Sequence, residues 1–510
     1  MEKLIFYWIT ILIIIFTRQV VANDCIRRYY GKSSFVCVCN ATYCDNPPII
    51  GHLAAGQATL ITSTLEDARF RITNLTFAGL SNSLFADEIF IDASVQYQTI
   101  LGFGGAFTDA SGINIAKLSV LAQQNLLKSY FSTDGIEYGL GRVPIGGSDF
   151  SPRAYTYDDF PGDDSLSNFT LTREDLFFKI PYISWAQSLS SKPIKLLASA
   201  WSAPAWMKSN DKLYGKGYLL QEYYQVWADY FVRFFEEYKK HNLNFFAVSP
   251  QNEPMDGNIQ DFPFNCMGWT PEQQAIFIGL NLGPTLEAKG FKSTKILIMV
   301  LAHPEAKKYI AGVAVHWYSD LFTPPVALNS FHEKFPDHFI LATEACEGDK
   351  PWQTAVSLGS WERLESYAHN IIEDLNHWVT GWVDWNLVLD EGGGPNWSGN
   401  FVDSPVIINN TIDEFYKQPM YYALGHFSKY IPEDSVRIDM KVVFDDPNLF
   451  GTAFLRPDGK RAVVFLNRSK EDKLIRLFDY DRGSLEFTCK NRSLSTMVYV
   501  SSMRGKMNSF

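Results

Sequence analysis

Two glutamates stand at the ends of apolar segments of the chain. Glu253 follows residues 245–248, and Glu344 follows residues 339–343. Each segment has the length and composition of a buried parallel strand, and a β/α barrel carries its functional groups at the carboxyl ends of such strands. Cleavage of a glycosidic bond requires two carboxyl groups, one protonated and one ionised. The pair therefore predicts glycosidase chemistry, and a salt bridge or a helix cap is the structural alternative for each glutamate.

The residues beside these glutamates favour different roles for them. Asn252 carries an amide that can bind a sugar hydroxyl, and Pro254 lacks a backbone donor, which ends the strand and leaves Glu253 at its rim. We expect a buried, apolar setting to raise the pKa of Glu253 and keep it protonated as a general acid. Glu344, supplied with hydrogen-bond donors, is expected to stay ionised and attack the anomeric carbon.

An alternation of strands and helices from about residue 98 must position the two carboxyl groups. Amphipathic helical segments, such as residues 223–240, separate most of the strand candidates. The eight candidates are residues 99–103, 138–144, 194–200, 245–248, 296–300, 312–316, 339–343 and 379–385. This pattern predicts a closed (β/α)8 barrel in which the glutamates follow strands four and seven.

One connection in this barrel is unusually short. Residues 301–311 are all that separates strand candidates five and six, whereas a parallel crossover normally takes about a dozen residues or more. We therefore expect either a very short fifth helix, formed from residues 304–309, or a barrel that lacks part of this unit.

The chain has β character on both sides of the barrel. Residues 58–92 alternate apolar and polar in places, and strand candidates around a Pro-Asp-Gly turn follow residue 432. The predicted fold class is therefore α/β, a TIM barrel with an accessory all-β sandwich formed from both chain ends. The predicted domains are a sandwich of residues 49–93 and 435–510 and a barrel of residues 94–434.

The first residues have the features of a secretory signal peptide, predicted at residues 1–22. Lys3 precedes an apolar run at residues 4–16, and residues 20–22 offer a small-residue cleavage site. The run is shorter than the about 20 residues that span a bilayer. We expect the mature chain to begin near Asn23, and an uncleaved anchor is the alternative.

Cysteine usage agrees with secretion. Four of the seven cysteines crowd into a predicted N-terminal β segment, residues 23–48, and they are Cys25, Cys37, Cys39 and Cys44. In an oxidising compartment this crowding favours two local disulfides. Zinc is the competing interpretation, but the Cys-x-Cys spacing and the missing histidine partners fit it poorly. Seven Asn-x-Ser/Thr sequons also predict a glycoprotein, and they begin at Asn40, Asn74, Asn168, Asn396, Asn409, Asn467 and Asn491.

The composition narrows the class of function. The 510 residues are 46% hydrophobic and 15% aromatic, which is enough for a large core and for aromatic sugar platforms. The net charge of -11 argues against a nucleic-acid partner.

Ten short motifs are spread along the chain from the N-terminal cysteines to the end of the predicted barrel. They are Cys37-Val38-Cys39-Asn40-Ala41-Thr42-Tyr43-Cys44, Gly102-Phe103-Gly104-Gly105-Ala106, Leu196-Leu197-Ala198-Ser199, Asn252-Glu253-Pro254, His316-Trp317-Tyr318, Glu344-Ala345-Cys346, Asp384-Trp385-Asn386, Gly393-Gly394-Pro395-Asn396-Trp397, Asn400-Phe401-Val402-Asp403-Ser404-Pro405 and Gly425-His426-Phe427-Ser428-Lys429. On these motifs the chain resembles the lysosomal glucosylceramidases of glycoside hydrolase family 30 nearly end to end.

The resemblance implies a role for each matching position. Glu253 would be the acid/base and Glu344 the nucleophile of a retaining double displacement, with no metal or organic cofactor. Arg142 would support the carboxylates from behind. The residues implied to contact the substrate are Asp149, Trp201, Asn252, Tyr318, Trp385, Asn400 and Phe264. The two carboxyl groups are expected to stand about 5–5.5 Å apart.

The resemblance also implies a substrate and a location. The substrate would be glucosylceramide, hydrolysed to glucose and ceramide at a membrane surface in the lysosomal lumen. Anionic lipid and a saposin-type activator would be partners.

Departures from the family pattern keep two alternatives open. The segment between strands five and six is shorter than in the family, and Phe262 and Gly399 replace a tyrosine and an arginine near the expected entrance. The alternatives are a non-catalytic glycan- or lipid-binding relative and a related β-glycosidase with a different sugar or aglycone.

Overall fold

A computed structural model describes residues 24–77, 86–298, 304–320, 322–443 and 446–500. The predicted signal peptide at residues 1–22 lies outside the described residues. In chain order, the strands are β1 (Arg27–Tyr29), β2 (Phe35–Asn40), β3 (Gln57–Thr64), β4 (Arg71–Thr76), β5 (Asp87–Thr99), β6 (Gly102–Ala106), β7 (Leu140–Ile145), β8 (Lys195–Ala200), β9 (Phe245–Ser249), β10 (Lys295–Ile298), β11 (Ile310–His316), β12 (Phe339–Glu344), β13 (Val379–Asn386), β14 (Val388–Asp390), β15 (Val406–Asn409), β16 (Glu414–Lys417), β17 (Val436–Val442), β18 (Leu449–Leu455), β19 (Lys460–Asn467), β20 (Lys473–Asp479), β21 (Gly483–Cys489) and β22 (Ser493–Val500).

The α-helices lie mainly between the barrel strands. They are α1 (Asp109–Ala116), α2 (Val120–Phe131), α3 (Ile180–Leu189), α4 (Tyr224–Lys239), α5 (Pro271–Ile276), α6 (Gly283–Ala288), α7 (Pro304–Lys307), α8 (Val326–Lys334), α9 (Trp361–Asn376) and α10 (Pro419–Ser428). Within the described ranges, none of these helices combines the length and the apolar composition that crossing a bilayer would take.

Strands β6 to β13 close in chain order into a parallel barrel, which confirms the predicted architecture. The first barrel strand begins at Gly102, three residues later than predicted, because the preceding residues up to Thr99 belong to β5 of another sheet. All eight carboxyl ends therefore open on the same face of the barrel.

The barrel interior is filled by one apolar side chain from each of seven adjacent strands. These side chains form a buried cluster of Leu140, Leu197, Ala247, Leu297, Ala314, Leu341 and Val383. The eighth strand, β6, contributes glycine instead. A Cβ on Gly104 would lie 2.0 Å from the backbone oxygen of Leu140, so this position admits no side chain. The closed end of the barrel is thus a packed core.

The short connection between β10 and β11 is compatible with barrel closure. Helix α7 has four residues, yet β10 pairs in parallel with β9 on one side and β11 on the other. Tyr309, just beyond α7, packs so closely on Gly283 that a Cβ there would lie 2.3 Å from its ring. This contact anchors the short unit to α6, and the prediction of a very short fifth helix is confirmed.

A nine-stranded sheet is built from both ends of the chain. Its order is β21-β20-β5-β17-β18-β19-β22-β3-β4. The early strand β5 lies between two late strands, parallel to β20 and antiparallel to β17. The prediction that the two chain ends form one accessory all-β domain is confirmed.

A smaller sheet joins the N-terminal segment to the barrel. Its order is β1-β2-β16-β15-β14, so β2 pairs with a strand that follows the last barrel strand. The two predicted disulfides are present, and they join Cys25 to Cys37 and Cys39 to Cys44. The remaining cysteines, Cys266, Cys346 and Cys489, are buried thiols.

Candidate active site

A cavity of about 610 Å³ opens at the carboxyl ends of the barrel strands. It has the size of a small-molecule site. The nine residues predicted for catalysis or substrate contact all line this one cavity, and they are Asp149, Trp201, Asn252, Glu253, Phe264, Tyr318, Glu344, Trp385 and Asn400. Arg142 lies behind the wall. The fold therefore gathers at one place residues that are spread over some 250 positions of the chain.

Glu253 and Glu344 face each other across the cavity. One carboxylate oxygen of each and a ring nitrogen of His316 lie within 4.8 Å of one another. This separation agrees with the about 5–5.5 Å found in retaining glycosidases, whereas inverting enzymes space their carboxyl groups about 6.5–9.5 Å apart to admit a water molecule. The arrangement suits direct attack on a sugar held between the two groups.

Two donors contact the side chain of Glu344. It is buried, with 6% of its side chain exposed, and it forms an ion pair with the guanidinium of Arg142. The hydroxyl of Tyr318 donates to Oε1 of Glu344 at 2.9 Å. Hydrogen bonds to ionised groups are stronger than those between neutral groups, so the two donors fix the orientation of this side chain.

Arg142 is itself fixed by aromatic faces and an amide. Its guanidinium carbon lies 4.9 Å from the ring centre of Trp201 and 5.2 Å from that of Trp385. The two indoles stack with centroids 5.2 Å apart. Arg142 also donates to Oδ1 of Asn252 at 2.7 Å. This buried cation therefore contacts both indoles, the amide and Glu344, and its supporting role stays a prediction.

Glu253 has a more open and more strained setting. Its backbone is left-handed, with φ of 41°, and 23% of its side chain is exposed. Nδ1 of His316 lies 2.8 Å from its Oε1. Non-glycine residues in this conformation are uncommon and cluster at functional sites. His316, which belongs to one of the motifs found in the sequence, therefore lies against Glu253.

The predicted rise in the pKa of Glu253 is wrong. Burial does act to raise the pKa of this carboxyl, but the hydrogen bond and charge of His316, the carboxyl of Asp256 and the charge of Arg142 act against it. Their sum lowers the pKa of Glu253 below its ordinary value. The setting is apolar in part, but the polar neighbours decide the direction.

Asp149 stands on another wall of the cavity. Nδ2 of Asn400 donates to its Oδ2 at 3.0 Å, and Nδ2 of Asn396 lies 3.5 Å from the same atom. Burial raises the pKa of Asp149 to about 7, and the charges of Glu344 and Glu253 add to the rise. Such a group can donate or accept a hydrogen bond with a sugar hydroxyl, depending on its protonation.

The outer part of the cavity is aromatic. Phe262 and Phe264 meet edge to face with ring centroids 4.5 Å apart, and Trp269 lines the same side. Asp256, Trp269 and Gln274 also line the cavity, and they were not predicted from the sequence. Asp256 lies three residues beyond Glu253, and its acidic type was the one signal that could have identified it.

Two clusters of potential metal ligands occur in the described part of the chain, and both have other bonds. Glu253, His316 and Glu344 form one of them, and Cys39, Cys44 and Asp45 form the other. In the first cluster, Glu344 is already paired with the guanidinium of Arg142. In the second, the two sulfur atoms are joined in a disulfide. Neither donor set fits a resident metal ion.

Sequence families and relatives of this chain agree with its fold. The model described as the glycosyl hydrolase family 30 TIM-barrel domain matches residues 100–431, and the family 30 beta sandwich domain matches residues 434–497. Lysosomal acid glucosylceramidase of Mus musculus is 45% identical over 502 residues, which are 94% of this chain and 96% of the relative. Putative glucosylceramidase 3 of Caenorhabditis elegans is 42% identical over 487 residues, 91% of this chain and 92% of the relative.

A solved structure supports the same assignment. The crystal structure of SrfJ from Salmonella typhimurium superposes with a TM-score of 0.80 at 27% identity, covering 88% of this chain and 100% of that one. The family models together cover most of the chain and match both the barrel and the β domain. The chain therefore belongs to glycoside hydrolase family 30, and it is a glycosidase.

Proposed function

We propose that this protein is a retaining β-glucosidase that hydrolyses glucosylceramide to glucose and ceramide. The observation that carries the proposal is the pair of carboxyl groups, from Glu253 and Glu344, whose oxygens lie within 4.8 Å across one cavity. The identity to a lysosomal acid glucosylceramidase supports the choice of substrate.

The two carboxyl groups take unequal parts in the reaction. Glu344, oriented by Arg142 and Tyr318, attacks the anomeric carbon and forms a covalent glucosyl-enzyme, while Glu253 gives a proton to the leaving oxygen. Glu253 then takes a proton from water, and this water releases β-glucose and frees Glu344. Two displacements, each with inversion, retain the configuration of the anomeric carbon.

The remaining lining residues hold the sugar and the first part of the aglycone. Asp149, Asn252 and Asn400 offer charged or amide groups to the hydroxyls, and Trp201 and Trp385 offer indole N–H groups and an apolar wall. Tyr318 contacts the nucleophile side. Phe264 lies on the aromatic outer part of the cavity, which suits the lipid side of the substrate.

Exposed apolar side chains around the cavity suit a substrate that is presented by a membrane. We call them the apolar rim, and they are Tyr214, Met255, Ile259, Phe322, Trp352 and Phe401, each 45% exposed or more. All six lie on loops that follow the carboxyl ends of barrel strands, so they share the face on which the cavity opens. Clustered exposed apolar side chains mark sites of contact with proteins or lipids. A lipid surface against this face would deliver the glucosyl headgroup to the cavity.

The proposal extends to location and partners. Residues 1–22 are a cleaved signal peptide, and the mature protein acts in the lysosomal lumen or after secretion, as the name of the mouse relative suggests. Anionic lipid and a saposin-type activator are proposed partners. We also propose domain boundaries at residues 48, 93 and 434.

Hydrolysis by the purified protein tests the activity. Wild-type protein is incubated at acidic pH with a fluorogenic β-glucoside, beside the variant Glu344→Gln. We expect hydrolysis by the wild type and almost none by the variant. A wild type that cleaves neither this glucoside nor vesicle-bound glucosylceramide would instead favour the non-catalytic binding alternative.

A second assay tests the lipid substrate and the apolar rim. Glucosylceramide is presented in vesicles with and without anionic lipid, and the variants Phe322→Ser and Trp352→Ser are compared with wild type. We expect both variants to lose vesicle hydrolysis and to keep hydrolysis of the soluble glucoside. Cleavage of the soluble glucoside without cleavage of glucosylceramide would favour a related β-glycosidase with another aglycone.

A further inference from the structure

Asp256 is carried back toward Glu253 by a tight turn. The turn begins at Glu253, whose left-handed backbone redirects the chain after Asn252. The backbone N–H of Asp256 donates to the carbonyl oxygen of Glu253 at 3.0 Å and closes the turn. Both side chains line the same cavity. The two carboxyl groups, three residues apart in the chain, therefore face the same small space.

The segment after this turn is fixed by close backbone contacts. A Cβ on Gly257 would lie 1.9 Å from the backbone nitrogen of Gly268, so glycine is required for this approach. The N–H of Gly217 donates to the carbonyl of Gly257 at 3.0 Å, and the hydroxyl of Tyr218 donates to Oδ1 of Asn258 at 2.8 Å. Asp256 is thus held in place by neighbours on two other segments.

The turn and the shared cavity bring the two carboxyl groups together. Hydrogen bonding between them shifts the pKa of each. Two neighbouring ionised carboxylates repel each other strongly. The pair therefore keeps one proton at pH values at which isolated carboxyl groups would have none. Burial, then the charge and hydrogen bond of Glu253, raise the pKa of Asp256 to about 9, while the pKa of Glu253 is lowered. These opposite directions are what one proton shared by the two groups would produce.

Charged groups from other strands act on the same pair. Glu344 at the end of β12 and Asp149 beyond β7 add negative charge and further favour the protonated form of Asp256. His316 at the end of β11 and Arg142 on β7 act on Glu253 in the opposite direction. The nearby thiol of Cys266 stays uncharged, because burial raises its pKa to about 11. The proton is therefore favoured on the Asp256 side, with Glu253 as its acceptor.

We propose that Asp256 is the proton-sharing partner of Glu253, so that the two carboxyl groups act as one acid/base unit in the proposed β-glucosidase reaction. Asp256 is a positioning residue in this scheme, since it acts through Glu253 and not on the sugar. The inference rests on the proposed function, and it adds a second carboxyl group to the acid/base unit of that reaction.

The proton balance of the scheme closes over one turnover. As Glu344 bonds to the anomeric carbon and the bond from that carbon to the leaving oxygen breaks, the shared proton passes through Glu253 to the leaving oxygen. The pair is then left with two negative charges, which makes it a stronger base. When water attacks the glucosyl-enzyme, its proton goes to Glu253, the water oxygen bonds to the anomeric carbon, and Glu344 leaves. The pair again holds one proton.

The test is the pH dependence of kcat/KM in variants of Asp256. Asp256→Asn keeps the size and a hydrogen-bond donor but cannot share a proton, and Asp256→Ala provides a second variant. Asp261→Asn is the matched control, because Asp261 is exposed on the same loop and does not line the cavity. Each enzyme is assayed on an alkyl β-glucoside, whose leaving group needs a proton, and on 2,4-dinitrophenyl β-glucoside, whose leaving group does not.

We expect the alkaline limb of kcat/KM on the alkyl glucoside to move to lower pH by about one unit or more in both Asp256 variants. Without the second negative charge, Glu253 loses its proton earlier as the pH rises. The dinitrophenyl glucoside should show little change, and Asp261→Asn should match wild type on both. A folded Asp256→Asn or Asp256→Ala with the wild-type pH profile, or an equal loss on both substrates, would overturn the inference. A wild type that cleaves neither glucoside would instead overturn the proposed function and the inference together.

Discussion

The ends of β9 and β12 present the same chemical group in opposite ways. Glu344 is the last residue of β12. It is almost fully buried and has a cation and a hydroxyl as partners. Glu253 lies beyond the end of β9 in a left-handed turn, is nearly four times as exposed, and has a histidine and a carboxyl group as partners.

The comparison shows how one cavity can give two roles to the same type of residue. A nucleophile must attack as an anion and from a fixed direction, and a neighbouring cation supports both. An acid/base must give up a proton in the first step and regain one in the second, which neighbours that titrate can support. The strained turn at Glu253 is then part of the device, because it brings the second carboxyl group within reach.

Loss of the group on the β12 side is expected to have the largest effect. Glu344→Gly removes the nucleophile, and we expect kcat on any β-glucoside to fall by about 10⁴-fold or more. Azide added to this variant should attack an activated glucoside once, from the face that Glu344 vacates. The product to be identified by NMR is the α-glucosyl azide, and a β-product would reverse the assignment of the two carboxyl groups.

Replacement of Glu253, beyond β9, should lower kcat/KM by an amount that depends on the leaving group. For Glu253→Ala we expect kcat/KM on an alkyl glucoside to fall by about 10³-fold, within the range of general acid catalysis. The loss on the dinitrophenyl glucoside should be far smaller, since that leaving group needs no proton. Azide should then give the β-glucosyl azide by attack on the glucosyl-enzyme. Equal losses on both substrates would remove the distinction between the two sides.

A smaller effect is expected from the hydroxyl that orients the nucleophile. Tyr318→Phe removes the donor to Oε1 of Glu344 and leaves the ion pair with Arg142 in place. We expect kcat/KM to fall by about 10-fold to 100-fold, the usual value of a hydrogen bond to a charged group. The fall should be similar for good and poor leaving groups, because both need the nucleophile. A leaving-group dependence would place Tyr318 on the acid side instead.

The smallest predicted effect concerns stability and pH. Because the pKa of Asp149 is raised to about 7 in the folded protein, its contribution to stability is complete at low pH and is lost as the pH rises through 7. Asp149→Asn cannot titrate. We expect the gain in Tm on lowering the pH from about 7.5 to about 5 to shrink by roughly 2–4 °C in this variant. Calorimetry of both proteins checks it, and equal gains would show that Asp149 is charged throughout.

Much of this arrangement was predictable, because buried parallel strands are apolar runs whose carboxyl ends meet on one face. This is why Glu253 and Glu344 could be paired from the sequence. The ends of the strands were harder to predict from the sequence. The residues before Gly102 have strand character of their own, and nothing local shows that they pair with a sheet formed by the last part of the chain.

The partners of the site were beyond sequence reasoning for a related reason. Asp256 meets Glu253 because Gly257 packs on Gly268 and a non-glycine residue adopts a left-handed backbone, and neither fact is visible in a local pattern. The sequons show the same limit. Asn467 is fully buried and its amide donates to three backbone carbonyls, so the folded protein does not offer this acceptor to a glycan.

Because β5 lies between β17 and β20, the nine-stranded sheet can form only late in synthesis. A ribosome releases β3, β4 and β5 early, then the whole barrel, and only near the end the strands that pair with them. Until that moment the early strands carry unsatisfied edges, which are the segments most prone to pair with other chains. Synthesis must therefore be almost complete before the nascent N-terminal strands find their permanent neighbours.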